Sequence, residues 1–78
     1  MTEQEEDVAV KMEELSLAQV TLAYWRDRLA TTRKLSLSSA ATEDQLLEDL
    51  LNMKRSESNV RIAEIRLQAA KSRLRIDK

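Results

Sequence analysis

Residues 46–74 read LLEDLLNMKRSESNVRIAEIRLQAAKSRL, and one large apolar side chain returns in this stretch at every seventh position. The repeating residues are Leu46, Met53, Val60, Leu67 and Leu74. A strict seven-residue repeat keeps one stripe of an α-helix facing a neighbouring helix. Residues 55–59 have poor helix propensity and are the alternative place for a bend, but the repeat stays in phase across them. We therefore expect one continuous helix that packs against another.

The preceding half of the chain supplies the partner helix. Its apolar stripe also repeats every seven residues, at Val8, Leu15, Leu22 and Leu29. Each helix begins with a capping box, a Thr followed three residues later by Glu or Gln, at Thr2 and again at Thr42. Serines between the stripes favour a connection. The prediction is a single domain over residues 1–78, with helices at 3–33 and 43–76 and a connection at 34–42.

Two helices of similar length joined by a short connection predict an antiparallel hairpin that resembles a coiled coil. The expected register sets Leu29 opposite Leu46 and centres the turn on Leu37 and Ser38. The same register brings Arg26 level with Asp49. It also brings the acidic start of the first helix near the basic residues Arg66, Lys71 and Arg73.

Small residues lie beside the main stripe of the second helix, at Ser56, Ala63 and Ala70. Their spacing of seven predicts a close approach of the two helices. Trp25 has two interpretations: a residue of the core or its rim, which we favour, or an aromatic anchor in a binding surface.

Both helices carry a second apolar face, which a two-helix hairpin does not need. On the first helix this face is formed by Val10, Leu17, Val20 and Tyr24; on the second it is formed by Leu47, Leu51, Ile62, Ile65, Ala69 and Ile76. An isolated hairpin cannot bury both faces of both helices, so the second faces predict contact with other chains. We expect homo-oligomerisation into a four-helix or larger bundle, and a heterologous partner that presents a helical surface.

The composition fits an all-α protein, with 35% charged residues and no Gly, Pro, Cys or His. The formal net charge of −1 gives no global attraction to nucleic acid or to anionic membranes. The acidic residues that follow Met1 are unlike the basic start of a signal peptide, and no apolar run reaches membrane-spanning length. We expect a cytoplasmic protein that makes no membrane contact.

Catalysis is difficult to assemble from these residues, so we expect no enzymatic activity. Without His or Cys, the nucleophiles are Ser, Thr and Lys, and none lies in a recognisable catalytic motif. The carboxylates cluster near the helix starts, where they compensate the helix dipole. A di-metal site in a bundle requires inward Glu-x-x-His pairs, and the sequence has no His. No cofactor and no metal is expected.

Nucleic-acid binding is the alternative function. Arg55, Arg66 and Arg73 lie within about 20° of one another around the second helix and are candidates for phosphate contacts. In architecture alone, this hairpin resembles the Rop type of helical hairpin dimer that binds RNA. We favour instead pairing of these arginines with the acidic first helix. The leading hypothesis is a non-enzymatic interaction module that acts as an adaptor, chaperone or inhibitor of a partner protein.

Overall fold

The computed structural model describes residues 2–76, and the side chains of residues 2–75. It consists of two antiparallel α-helices, α1 (Glu3–Leu37) and α2 (Glu43–Ile76), with no strand in the described part of the chain. The hairpin is a narrow ribbon, with Cα extents of 59 × 16 × 11 Å. The all-α hairpin expected from the sequence is confirmed.

The core is a single seam between the helices, built from two positions of each seven-residue repeat. On α2 the large side chains of the seven-residue repeat, from Leu46 to Leu74, are buried or half-buried, and they alternate with small or polar buried residues. The buried small or polar residues are Asp49, Ser56, Ala63 and Ala70. The seam of α1 includes the buried Leu22, Leu29 and Thr32. Large residues and small residues alternate along α2, and Ala70 is only 1% exposed, so the backbones lie close together.

α2 is helical without interruption through residues 55–59, as the phase of the repeat predicted. Ser56 Oγ donates to Asn52 O at 2.9 Å, so the hydroxyl is satisfied within its own helix. Tertiary packing of the repeat therefore outweighs the poor intrinsic propensity of this segment.

Both predicted N-caps are present. Glu5 N donates to Thr2 Oγ1 at 3.2 Å at the start of α1. At the start of α2 the capping box is complete: Gln45 N donates to Thr42 Oγ1 at 3.1 Å, and Thr42 N donates to Gln45 Oε1 at 2.8 Å. These bonds satisfy backbone groups that a helix start leaves without partners.

The end of α1 differs from the prediction. The helix continues to Leu37, past the predicted end at Arg33, and the connection is 38–42. Ala40 N donates to Leu35 O at 2.7 Å and Ser39 N to Ser36 O at 3.1 Å, which together form a Schellman motif. Ser39 provides the left-handed residue of this motif, with φ 63°. The sequence contains no Gly to mark this position, so the motif was not foreseen.

The predicted register was also wrong. It placed Thr32 opposite Glu43 and Asp7 opposite Gln68. In the structure the buried Thr32 hydroxyl donates to Asp49, and Asp7 Oδ2 lies 3.7 Å from Arg73 Nη2. Because α1 continues to Leu37, the turn is centred on Ala40, and this later turn sets each residue of α1 opposite a later residue of α2.

Candidate interaction surfaces

The first candidate surface lies along α1 on the side away from α2. We call it the α1 outer edge, defined by Val10, Leu17, Val20 and Tyr24. All of these side chains are exposed, Leu17 and Val20 by 68% and 67%. At about 100° per residue, they lie opposite the stripe of Leu15, Leu22 and Leu29 that faces α2. The packing that builds the hairpin therefore turns these side chains towards solvent.

The second candidate surface lies along α2 on the side away from α1. The α2 outer edge is defined by Leu51, Ile62, Ile65 and Ala69, with Leu47 at its margin. These residues are also exposed, and Ile65 reaches 68%. The spacing Ile62, Ile65, Ala69 alternates three and four residues, the pattern of a helix-packing seam. Ile76 was predicted to continue this line, and its side chain lies outside the described residues.

The two outer edges lie on opposite sides of the ribbon. Each edge is on the far side of its helix from the intramolecular seam, so the edges point away from each other. The predicted interface residues therefore form two separate surfaces. A square four-helix bundle would instead place the second stripe of each helix about 90° from the first.

A polar cluster closes the seam near the turn. Asp49 is 6% exposed, accepts a hydrogen bond from the Thr32 hydroxyl, and has Arg28 Nε 3.7 Å from its Oδ2. A cleft of about 440 Å³ opens beside these residues and is also lined by Trp25 and Glu48. The carboxylate is already held by protein groups, so the cluster positions the helices near the turn.

The sequence-based analysis missed this cluster. It paired Asp49 with Arg26, whereas the guanidinium beside Asp49 is that of Arg28. A usable signal was present, because Asp49 precedes Ser56, Ala63 and Ala70 by multiples of seven and so occupies a core position. Thr32 holds the matching core position of α1. Its contact with Asp49 follows only from the correct register.

Trp25 is half-buried, and its ring meets that of Tyr24 edge to face, with centroids 5.1 Å apart and planes at 80°. Tyr24 lies on the α1 outer edge, while Trp25 turns towards α2. Trp25 therefore links the seam to the surface through an aromatic contact.

The three arginines proposed for phosphate contacts are all exposed on α2. Arg73 lies 3.7 Å from Asp7 on α1, which agrees with the expected pairing between the acidic first helix and the basic end of the second. Arg55 and Arg66 lie on the same side of α2 as Arg73.

Among the described residues, no group of three or more acidic, His or Cys side chains is arranged to hold a metal ion. Neither α1 nor α2, over the part of the chain that the structure describes, is long and apolar enough to cross a membrane. No protein-family model, no curated protein and no solved structure matches this chain.

Proposed function

We propose that this protein is a non-enzymatic interaction module. In this proposal the hairpin self-associates through its outer edges and, as an adaptor, chaperone or inhibitor, covers a helical surface on a partner protein. The observation that carries the proposal is the exposure of large apolar side chains along the outer edges of both helices. The cytoplasmic location and the absence of catalysis expected from the sequence remain predictions.

The energetic argument comes from the number of these side chains. Burial of one Leu, Ile or Val is worth roughly 1.5–3 kcal/mol. The exposed set on the outer edges includes Leu17 and Val20 on one side and Ile62 and Ile65 on the other. Single exposed apolar residues are ordinary, whereas two stripes with helix-packing spacing are typical of surfaces that another helix covers.

The proposal is tested by charging one edge while leaving the fold intact. Ile62→Glu with Ile65→Glu should lower the mass in solution, as measured by sedimentation equilibrium, with unchanged helix content by circular dichroism. The matched control is Leu37→Gln, since Leu37 is 90% exposed but lies at the end of α1, outside both edges. Loss of helicity in the double variant would show that these isoleucines belong to the core of the hairpin and would refute the proposal.

The partner-binding part has a separate test. The tagged wild-type chain and the double variant are used side by side to capture proteins from the host cell, and the mass of each complex is measured. A protein retained by the wild type and by Leu37→Gln, and lost with the double variant, supports a partner that binds the edge. Equal capture by all three chains contradicts it.

A second candidate function is nucleic-acid binding, favoured by the exposed arginines of α2. Phosphate contacts would give binding that weakens steeply with salt, and replacement of Arg55 and Arg66 by Gln would reduce both the affinity and the salt dependence. No shift of RNA or DNA in a low-salt gel assay would rule out this function. The acidic residues of α1, which lie on the same narrow ribbon, favour the protein-binding function.

A further inference from the structure

The side of each helix that faces away from its partner carries charge of one dominant sign. We call the three positions of each seven-residue repeat that lie farthest from the seam the outer half. They are the positions of Leu17, Val20 and Ala23 on α1, and of Arg61, Ile62 and Ile65 on α2. The acidic residues of the α1 outer half are Glu3, Glu6, Glu13 and Asp27, and its basic residue is Lys34. The basic residues of the α2 outer half are Lys54, Arg55, Arg61 and Arg75. In that half, no acidic side chain lies between Leu51 and Arg75.

The charges are also ordered along the ribbon. The acidic start of α1 and the basic end of α2 lie at the same end, as the pair Asp7–Arg73 shows. At the turn end the signs are exchanged, because Lys34 on α1 lies near the level of Glu48 and Asp44 on α2. Where both outer halves are charged at the same level, the charges are opposite: Glu6 lies level with Arg75, and Asp27 lies level with Lys54.

We infer that the α1 outer edge of one copy packs against the α2 outer edge of a second copy that points in the same direction. This inference rests on the proposed self-association and specifies its geometry. The apolar residues Leu17 and Val20 would meet the line of Ile62 and Ile65 on the neighbour, with acidic flanks beside basic ones. The neighbouring helices run antiparallel, as α1 and α2 do within the hairpin.

The other pairings of the same edges place like charges together. Two α1 outer edges would bring Glu6 and Glu13 against acidic residues, and two α2 outer edges would bring Arg55 and Arg61 against basic ones. A neighbour pointing the opposite way would set the acidic start of α1 beside Asp44 and Glu48. Like-charge contacts oppose association, which leaves the same-direction arrangement between unlike edges.

Contact between unlike edges is head-to-tail, so a pair of copies keeps one free α1 edge and one free α2 edge for further neighbours. Because the two edges lie on opposite sides of the ribbon, successive copies form a row of hairpins one helix thick. The row closes into a ring if the rotation between successive copies brings the last copy back to the first. Otherwise it extends as an open row.

Blocking one edge at a time tests the inference. The first variant carries Leu17→Glu and Val20→Glu on the α1 edge, and the second carries Ile62→Glu and Ile65→Glu on the α2 edge. The same sign of charge is used on both, so that the blocked edges do not attract each other. Each variant and an equimolar mixture are studied by native mass spectrometry and sedimentation, with helix content checked by circular dichroism.

Head-to-tail contact predicts that each variant alone stays at the mass of a single chain, 9.0 kDa, and that the mixture forms a dimer of one copy of each. In that dimer the intact α2 edge of the first variant meets the intact α1 edge of the second. A dimer formed by either variant alone would overturn the head-to-tail inference, while the proposed self-association would stand. An associating wild type whose two variants do not combine would also overturn it. A monomeric wild type would refute the proposed self-association itself.

A second test changes only charged residues and leaves the apolar residues of both edges intact. In the wild-type background, Glu6→Arg with Asp27→Arg should weaken association, because basic flanks would then face Arg75 and Arg55 of the neighbour. Adding Arg55→Glu and Arg75→Glu in the same chain should restore it. Failure of the second pair to rescue the first contradicts the charge matching.

Discussion

At the scale of single residues, Asp49 is the position where a side chain most constrains the hairpin. Its carboxylate is almost fully buried and accepts a hydrogen bond from Thr32 across the seam. A charged group that loses a buried hydrogen bond pays a larger free-energy penalty than a neutral one. The sequence-based analysis paired Asp49 with Arg26 at the surface and missed its core position, although Asp49 lies seven residues before Ser56. Its partner Thr32 depended on the register, which the sequence did not determine.

Replacement of Thr32 by Val should therefore lower the free energy of unfolding by about 1.5–3 kcal/mol, because Asp49 loses its hydroxyl donor. Urea denaturation at fixed protein concentration measures the change. Thr31→Val is the control, since Thr31 is the exposed neighbour of Thr32, and it should change the stability much less. Equal effects of the two substitutions would show that the hydrogen bond contributes little.

Ser39 is a second decisive residue, because it adopts a left-handed backbone with φ 63° that glycine adopts more easily. Ser39→Gly should raise the free energy of unfolding by about 0.5–1 kcal/mol. Ser38→Gly should lower it, since Ser38 has φ −97° and its hydroxyl donates to Leu35 O at 3.0 Å. Thermal unfolding followed by circular dichroism compares the two, and the same sign for both would contradict the assigned turn.

At the scale of elements, the two helices follow from local information. The seven-residue repeats and the caps at Thr2 and Thr42 are short-range signals, and each predicted helix start is confirmed. The end of α1 was missed because a Schellman motif with serine lacks the usual glycine signal. The register was missed with it, since the length of α1 determines where the turn lies.

The close contact between the helices depends on the small buried residues of α2. Ala70→Leu should lower the free energy of unfolding by about 1–3 kcal/mol, because Ala70 is 1% exposed and leaves no room for a larger side chain. Ala30→Leu, at an exposed position of α1, is the control and should change the stability little. Urea unfolding measures both. A stabilised Ala70→Leu variant would show that the seam is looser than its burial indicates.

At the scale of the whole molecule, a ribbon of two helices leaves half of each helix uncovered. The sequence predicted the second apolar faces residue by residue, and the structure shows that those it describes are exposed. The structure places these faces on opposite sides of the ribbon, so that they point away from each other. The bundle expected from the sequence did not include this arrangement. In the proposed self-association, the opposite charges beside the two edges select which edges meet, and in which orientation.

The most direct test of this account is the mass of the unaltered chain in solution. Sedimentation equilibrium over a series of protein concentrations should give a mass above 9.0 kDa that increases with concentration, as mass action requires for self-association. Circular dichroism on the same samples confirms that the helices are formed. A mass of 9.0 kDa at every concentration, with full helix content, would contradict the claim that the outer edges bind a second copy.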